Sequence, residues 1–272
     1  MASLPLSHAA TAQQPKFALP DLAGLRSTLS PLLPFVVLIA AWQALSAAGV
    51  FPPQVLVAPV DVAATLWRLG ESGELARHVG DSLVRLLAGF AIGALAGLVF
   101  GTSAALSRIA SALASPLFLT FWQVPVIALV PLLILFLGID NSFKITVVAV
   151  AAFFPVALAT SDAVRSVPRG FFDVARVYRT RWTDLVTRIL VPATLPAVLV
   201  GLRIALTRSW VVLVAAELLA ADSGVGQMME TGRQMFQIDV VLGGVIVSGL
   251  IGFTLDRTAR AVERRATRWR RA

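Results

Sequence analysis

The sequence contains no cysteine and very little histidine, and these absences exclude several kinds of site. Without cysteine the chain of 272 residues cannot form a disulfide, a cysteine-ligated zinc site or an iron–sulfur cluster, and it has no thiol nucleophile. The two histidines, His8 and His78, are far apart and lie outside the apolar runs. Neither an HExxH pattern nor a histidine–carboxylate cluster can be built from them. The sequence therefore predicts no metal site and no cofactor.

Lysine is equally scarce, and its two positions exclude a P-loop. Lys16 and Lys144 follow Pro15 and Phe143, whereas the GxxxxGK[ST] pattern that cradles ATP phosphates requires a glycine before the lysine. The sequence also lacks a carboxylate pair or a Ser/His pair of catalytic type. We therefore predict that this chain is not an enzyme, and that any ATP-driven process involving it depends on a second protein.

Charged residues make up only 14% of the chain and hydrophobic residues 57%, with a mean hydropathy of +0.82. Average soluble domains are about 45–50% apolar and about 25% charged, so this composition indicates an integral membrane protein in a lipid bilayer. The net charge of +8 could indicate nucleic-acid binding in a soluble chain. Here the arginines cluster beside apolar runs, which is typical of membrane-protein orientation, and no nucleic-acid partner is predicted.

Six apolar runs are each about 20 residues long, enough for a helix to cross a bilayer. We therefore predict an all-α integral membrane protein with six transmembrane helices. The approximate spans are residues 31–50, 83–106, 117–138, 145–162, 196–220 and 240–259. In this division residues 1–30 are an N-terminal tail, residues 31–262 are the membrane domain, and residues 263–272 are a basic tail.

The distribution of basic residues predicts the orientation of the chain. Both tails, the loop with Arg108 and the loop formed by residues 164–195 fall on one side and carry most of the arginines. The few basic residues on the other side are Arg68, Arg77, Lys144 and Arg233. By the positive-inside rule, both termini and the basic loop are predicted to be cytoplasmic.

Two stripes of small residues predict close helix packing. The stripes are Gly89, Gly93, Gly97 and Gly101 in the second span and Gly244, Ser248 and Gly252 in the sixth. A stripe of this kind lets another helix approach backbone to backbone, and contact with a ligand is the alternative.

Proline and charged residues within spans are candidates for a transport path. The third span contains Pro125 and Pro131, with Gln123 beside the first, and each proline removes a helical hydrogen bond. A kinked helix lining a pore and a bent structural helix both fit this pattern. In the fifth span, Arg208 must find a carboxylate, backbone carbonyls or a water-filled cavity. A cation in a pore would favour an anionic substrate, although Arg208 could instead neutralise Glu217 or a partner helix.

The connection between the fourth and fifth spans is the most basic part of the chain outside its C-terminal tail. Its arginines are Arg165, Arg169, Arg176, Arg179, Arg181 and Arg188. Pro168 suits the first turn of a helix, and Phe171, Val174, Ala175 and Tyr178 then recur at three- and four-residue spacing. This apolar stripe either packs against the ends of the protein's own helices or binds in the groove of a soluble partner.

Residues 173–192 resemble the EAA motif of permease subunits of ABC-type importers. That motif is Glu-Ala-Ala, a glycine four residues beyond the second alanine, and Ile-x-Leu-Pro after a further nine residues. Asp173, Val174 and Ala175 stand in place of Glu-Ala-Ala, Arg179 stands at the glycine, and residues 189–192 (Ile-Leu-Val-Pro) stand at the end. Val174 and Arg179 depart from the pattern, and the family's glycine at the latter position provides a sharp turn.

The likeness extends over about residues 31–265 and is most specific for the nitrate/sulfonate/taurine branch of these permeases. The segments that carry it are residues 125–132, 138–139 and 144, residues 201–203, Trp210, residues 215–217, and residues 223–226 followed by 239–241. Within that branch the chain looks most like the aliphatic sulfonate permeases.

The resemblance implies a type I ABC importer permease fold, of the MetI-like kind, in a bacterial inner membrane. A cytoplasmic ATPase would bind a coupling helix at residues 168–180, a periplasmic solute-binding protein would deliver the substrate, and a second permease copy would complete the path. The implied ATPase-coupling residues are Pro168, Phe171, Asp173, Val174, Ala175, Tyr178, Arg179, Ile189 and Pro192. The candidate path residues are Gln123, Pro125, Arg208 and Trp210.

The leading hypothesis is therefore an importer permease for a small anion, with alkanesulfonates favoured over nitrate and taurine. A stand-alone secondary transporter would need ion-coupling carboxylates near mid-span and an internal inverted repeat, and neither is evident. A membrane enzyme would need catalytic groups that are missing here. A scaffold would need neither prolines in a span nor a buried arginine.

Overall fold

The computed structural model describes residues 33–49, 52 and 56–271, so the predicted N-terminal tail lies outside the described residues. The chain divides into two units, residues 1–51 and 52–272. In the first unit, helix α1 (Leu33–Ala47) is apolar but only 15 residues long. That is shorter than the roughly 20 residues needed to cross a bilayer.

The second unit is a set of helices without strands in its described residues. The helices are α2 (Pro59–Glu71), α3 (Glu74–Leu106), α4 (Arg108–Trp122), α5 (Val130–Leu137), α6 (Asn141–Arg165), α7 (Arg169–Val177), α8 (Trp182–Leu185), α9 (Val191–Leu219), α10 (Val225–Gln234) and α11 (Ile238–Ala266). A 3₁₀ turn (Val126–Leu129) precedes α5, a π turn (Val186–Leu190) joins α8 to α9, and a 3₁₀ turn (Arg268–Arg271) follows α11.

The all-α membrane fold is confirmed, but the count of six spans is not fully reproduced among the described residues. Four helical segments are long and apolar enough to cross a membrane: α3, α6, the continuous segment Trp182–Leu219, and α11. The predicted third span is a pair of helices, Ser115–Trp122 and Val126–Leu137, that meet at 90°. It makes a fifth span only if the bent pair is counted as one.

The prolines of the third span explain the sharp bend. Pro125 lies at the break and caps the 3₁₀ turn, while Pro131 falls in the first turn of α5, where its missing N–H is not needed. The two prolines therefore separate two helices and do not kink a continuous one.

The glycine stripe of α3 packs against α6, as predicted. A Cβ atom at Gly93 would lie 2.1 Å from the carbonyl oxygen of Ala149, and one at Gly101 would lie 2.3 Å from that of Ala157. Successive glycines meet successive turns of α6 in the same direction, so the two helices are parallel. Glycine is required here because the backbones touch.

The second stripe packs α11 against its neighbours. A Cβ at Gly244 would lie 2.2 Å from Cγ of Met229 on α10, and one at Gly252 would lie 3.3 Å from Cδ1 of Trp210 on α9. These contacts border the main apolar core, which comprises Leu86, Val148, Trp210, Leu213, Val214, Val225 and Met229.

The basic connection contains more helix than predicted. α6 continues to Arg165 and helix resumes at Trp182, so only short stretches on either side of α7 are irregular. The fifth span therefore begins about 14 residues before the predicted start at residue 196 (196 − 182 = 14). Pro192 and Pro196 lack the backbone N–H that donates the helical hydrogen bond. The helix accommodates this loss in the π turn, which ends two residues before Pro192.

We predict opposite effects for two alanine substitutions in α3. Gly93→Ala should destabilise the protein by about 1–3 kcal/mol or more, since its Cβ would meet the backbone of α6. Gly80→Ala, with nothing within 4 Å of the added Cβ, should stabilise it by about 0.5–1 kcal/mol. Thermal unfolding in detergent measures both, and equal effects would contradict the close packing of α3 on α6.

Candidate functional site

Helix α7 carries an apolar face that the described chain leaves uncovered. Ala175 is only 6% exposed and packs inward. Phe172 lies against a small core of Val164, Val167 and Leu190. In contrast Phe171, Val174 and Tyr178 are exposed. The predicted stripe is therefore divided: Ala175 is buried within the protein, and the other three side chains lie on an exposed surface.

The remaining coupling candidates lie on α7 itself and on the segments that follow it. Asp173 is exposed and pairs with Arg176 across one turn, with 3.6 Å between Oδ1 and Nη1. Pro168 is the N-cap of α7. Ile189 lies half-buried in the π turn, and Pro192 is exposed in the first turn of α9.

The sharp turn after α7 forms although the family's glycine is an arginine here. Arg179 has φ +49°, in the left-handed region that glycine adopts freely. The Thr180 N–H donates to the Ala175 carbonyl at 2.9 Å, and the Arg179 N–H donates to the Arg176 carbonyl at 3.1 Å. These two bonds define a Schellman motif with arginine at the position that is usually glycine.

A buried ion pair lies at the opposite end of the helices. Arg85 of α3 is 5% exposed and Glu217 of α9 is 1% exposed, and Arg85 Nη1 lies 2.9 Å from Glu217 Oε1. Ser82 places its hydroxyl 2.9 and 2.8 Å from the two carboxylate oxygens, and the Gly226 N–H donates to Oε2 at 3.1 Å. The carboxylate on α9 is thus held by donors from two other elements, α3 and α10.

Arg85 also fixes the loop that precedes α10. Its Nη1 donates to the Ser223 carbonyl and its Nη2 to the Ser223 hydroxyl, both at 2.6 Å, while Nε donates to Asn141 Oδ1 at 2.7 Å. All three nitrogens of the guanidinium therefore have partners. The start of α6 and the loop after α9 are joined to α3 through this one side chain.

Glycine is necessary at two positions, one in this loop and one in the first turn of α10. Gly224 has φ +118°, and a Cβ there would lie 2.4 Å from Cδ of Glu217. A Cβ at Gly226 would lie 2.4 Å from the Val214 carbonyl oxygen. The Gly224 N–H donates to His78 Nδ1 at 3.0 Å, so the loop backbone is bonded on both sides of its turn.

Arg85 is the functional side chain that sequence reasoning missed. It lies inside the predicted second span, and an ionisable residue in a span is a signal in itself. Arg208 was considered as the partner of Glu217, but Arg85 occupies that position. Within the described residues, no group of three or more histidine and carboxylate side chains is arranged to hold a metal ion.

The two arginines of α9 have different surroundings. Arg203 lies 3.3 Å from Asp256 and 3.1 Å from Glu263, both on α11, so it joins two helices at the basic end of the protein. Arg208 is exposed and has no ion pair or hydrogen bond with another described residue. It lies 11 residues before the end of α9 at Leu219 (219 − 208 = 11), or about 16 Å along the helix axis.

The other candidate path residues do not share one environment. Gln123 and Pro125 are exposed at the bend between α4 and α5. Trp210 is buried in the main core, and its indole N–H donates to the Ser248 carbonyl at 3.0 Å. Trp210 therefore lies on no exposed face of this chain, although sequence reasoning assigned it to the path.

An open cavity of about 880 Å³ lies on the same side as the buried ion pair. It is bordered by α2, the start of α3, α10 and the start of α11. Charged groups of both signs line it, including Arg68, Arg77, Glu74 and Asp239. The Thr65 hydroxyl donates to Asp239 at 2.5 Å and fixes one wall.

The sequence matches a known family along most of its length. The family described as binding-protein-dependent transport system inner membrane component matches residues 93–268. The chain is 38% identical over 239 residues to SsuC of Bacillus subtilis (strain 168), a transport permease named for aliphatic sulfonates, covering 88% of this chain and 86% of that protein.

Two further relatives and one solved structure are similar to the chain. It is 32% identical to the taurine transport permease TauC of Escherichia coli (strain K12), covering 89% of this chain and 88% of the relative. It is 30% identical to the nitrate import permease NrtB of Synechococcus elongatus, covering 87% and 90%. The fold matches an inward-facing structure of the MetNI methionine ABC transporter with a TM-score of 0.63 at 21% identity, covering 73% of this chain and 98% of that chain.

We predict that removing one partner of the buried ion pair destabilises the fold strongly. Arg85→Met leaves Glu217 charged and partly unpaired, and should cost about 3–5 kcal/mol of unfolding free energy. Arg85→Met combined with Glu217→Gln should recover part of the loss, because no uncompensated charge remains. Chemical unfolding in detergent measures both.

The matched control is Arg208→Met, which removes an arginine that has no partner among the described residues. Its stability should change little. If Arg85→Met and Arg208→Met had the same effect, the ion pair would not be the constraint described above.

Proposed function

The chain belongs to the family of inner membrane components of binding-protein-dependent transport systems, and from this premise we propose that it imports aliphatic sulfonates. As a multi-pass permease subunit of an ABC importer, it leaves ATP hydrolysis to a separate ATPase subunit. The observation that carries the proposal is the uncovered apolar face of α7 on a chain that lacks a P-loop. The choice of sulfonate is supported by the higher identity to SsuC than to TauC or NrtB.

The proposed ATPase contact is the outer face of α7. Phe171, Val174 and Tyr178 are apolar, exposed and arranged on one side of a short helix, which is how helices bind in the groove of a partner. Phe172 packs α7 against Val164 at the end of α6 and Leu190 in the π turn, and Ala175 is buried. Arg179 closes the helix and turns the chain. A movement of α7 would therefore be passed directly to α6 and α9.

The proposed orientation places α7 in the cytoplasm and the buried ion pair towards the periplasm. The arginines of the basic connection, Arg108 at the start of α4 and the segment after α11 lie on the α7 side, and the positive-inside rule assigns that side to the cytoplasm. The cavity beside α10 then opens to the side from which a solute-binding protein would deliver the solute.

The proposed solute path runs between two copies of the chain along an exposed stripe of α9. The stripe comprises Ala197, Ile204, Arg208, Val211 and Leu218, which share one helix face. On insertion scales an arginine facing lipid near the bilayer centre costs about 2.5–3.5 kcal/mol. A water-filled path between two copies avoids that cost, and a fixed cation there attracts an anion. Gln123 and Pro125, exposed at the bend between α4 and α5, are the other proposed path residues.

The proposed transport cycle follows from these contacts. ATP binding would bring the ATPase subunits together and move α7, and the tightly packed α3, α6 and α9 would move with it as one body. The path would then be exposed alternately to the two sides. A ligand drives such a change only by its differential affinity for the two states, and the loaded binding protein and ATP supply that difference.

We predict that a charge on the α7 surface prevents ATPase binding without unfolding the permease. Val174→Asp places a carboxylate in the middle of the apolar face, and should reduce the ATPase that co-purifies with the chain by at least about 10-fold. The thermal midpoint should stay within about 2 °C, because Val174 is exposed. Thr187→Asp introduces the same charge at an exposed site in the π turn and should retain the ATPase. Normal co-purification of Val174→Asp would exclude α7 as the contact.

We predict that Arg208 contributes to the binding of the transported anion. In proteoliposomes with the ATPase and the binding protein encoded beside the chain, ethanesulfonate should stimulate ATP hydrolysis. Arg208→Gln should lower ethanesulfonate uptake about 10- to 100-fold, the loss expected for one charged hydrogen bond, while Arg208→Lys should retain part of it. Stimulation by taurine or nitrate in place of ethanesulfonate would keep the transport mechanism and change the substrate. Full uptake by Arg208→Gln would remove Arg208 from the path.

A further inference from the structure

Phe236 has a backbone conformation that a phenylalanine rarely adopts. α10 ends at Gln234, and Phe236 follows with φ +57°. The Phe236 N–H donates to the Arg233 carbonyl at 3.2 Å, and the Gln237 N–H donates to the Gly232 carbonyl at 2.8 Å. This is a second Schellman motif, and its left-handed position is usually occupied by glycine or asparagine. A bulky aromatic residue at this position is strained.

No packing within the described chain compensates for that strain. The Phe236 side chain is 88% exposed, the highest value among the large exposed hydrophobic side chains of the described residues. The neighbouring Met235 is also exposed, so two apolar side chains project together. We call residues 235–236 the outer tip. A strained residue that gains nothing inside its own chain is a candidate for a contact outside it.

The outer tip stands on a rigid base. Arg233 donates to both carboxylate oxygens of Glu230, at 2.9 and 2.6 Å, and Gln234 donates to the same carboxylate at 2.9 Å. The hydrogen bonds from Arg233 and from Gln234 lower the pKa of Glu230 to about 2, so this group remains charged at physiological pH. On the other side of the tip, Asp239 is held by Thr65. The tip is therefore presented in a defined position.

The outer tip lies at the rim of the 880 Å³ cavity and at the opposite end of the protein from α7. Met235, Gln237 and Asp239 line the cavity, while Phe236 stands beside them. α9 begins beside α7 and ends at the loop before α10, so its whole length separates the two surfaces. A partner that binds the outer tip would cover the cavity.

We propose that the outer tip is the apolar anchor by which the solute-binding protein docks on the permease. This inference rests on the proposed function, since it requires a binding protein that delivers solute to this side. Phenylalanine and methionine are enriched at protein–protein contacts, and a single large apolar side chain entering a recess can dominate such a contact. The open cavity behind the tip is lined by charged groups of both signs, with exposed Arg68 at its edge, and these groups suit a hydrated protein surface better than lipid tails.

The test uses substitutions that should move stability and partner binding in opposite directions. Phe236→Gly and Phe236→Asn both suit a left-handed position and both remove the ring. Each should raise the thermal midpoint of the permease–ATPase complex by about 2–4 °C. Each should also weaken the binding of the ethanesulfonate-loaded binding protein at least about 10-fold, while basal ATP hydrolysis stays unchanged.

Two control variants separate the two effects. Gly80→Ala should also raise the thermal midpoint, because nothing lies within 4 Å of the added Cβ, without changing the affinity for the binding protein. Val60→Asn replaces another exposed apolar residue on the same side of the protein, and should leave that affinity unchanged.

Several results would overturn the proposal. Unchanged affinity of Phe236→Gly for the binding protein would remove the anchor, and a lower thermal midpoint would mean that the ring packs within the protein. Quenching of the fluorescence of Phe236→Trp by brominated lipids, in excess of that of the parent protein, would place the ring in the membrane. If the parent complex itself did not respond to any loaded binding protein, the proposed function would fail together with the anchor. If the parent complex responds normally to the loaded binding protein and the Phe236→Gly complex responds equally, the anchor is refuted and the proposed function stands.

Discussion

The buried ion pair between Arg85 and Glu217 is the constraint on which the rest of the membrane domain depends. Two charges in a low-dielectric interior are stable only if their mutual attraction and additional hydrogen bonds offset the lost hydration. Here Ser82, Asn141, the Ser223 carbonyl and the Gly226 N–H supply those bonds. α3, α6, α9 and the loop before α10 therefore cannot separate at this end without leaving a charge unpaired.

The close approach of α3 and α6 extends this constraint along the membrane. Four glycines bring the two backbones into contact over successive turns, so the helices cannot slide or rotate past each other without a clash. At the basic end, Phe172 of α7 packs near Val164 and Leu190, at the ends of α6 and of the π turn. α7, the proposed ATPase contact, is thus joined to a body whose far end is held by the ion pair. A rigid connection of this kind is what alternating exposure by whole-body movement requires.

Sequence patterns predicted the features that depend on residues close together in the chain. The absence of a P-loop, the apolar runs, the α3 glycine stripe and the α7 apolar stripe each depend on residue type and spacing within one segment, and each was recognisable without coordinates. The predictions that failed or fell short depend on distant residues. Glu217 was recognised as a charged residue at a helix end, but its partner lies 132 residues earlier in the chain. Trp210 was named as a candidate path residue, and its burial against α11 depends on residues 38 positions later in the chain, so that its assignment to the path stays a prediction.

The sequence by itself determined that the protein is an all-helical membrane permease of an ATP-driven importer. Hydropathy, the positive charges beside apolar runs and the EAA-like motif are each recognisable within one continuous segment of the chain. Only the tertiary structure decided which charges meet, which face of α7 stays free, and that Arg179 and Phe236 take up left-handed turns without glycine. The physical reason is that an ion pair, a helix contact and a surface exposure are each set by residues far apart in sequence. Their combined free energy is defined only once the helices have packed.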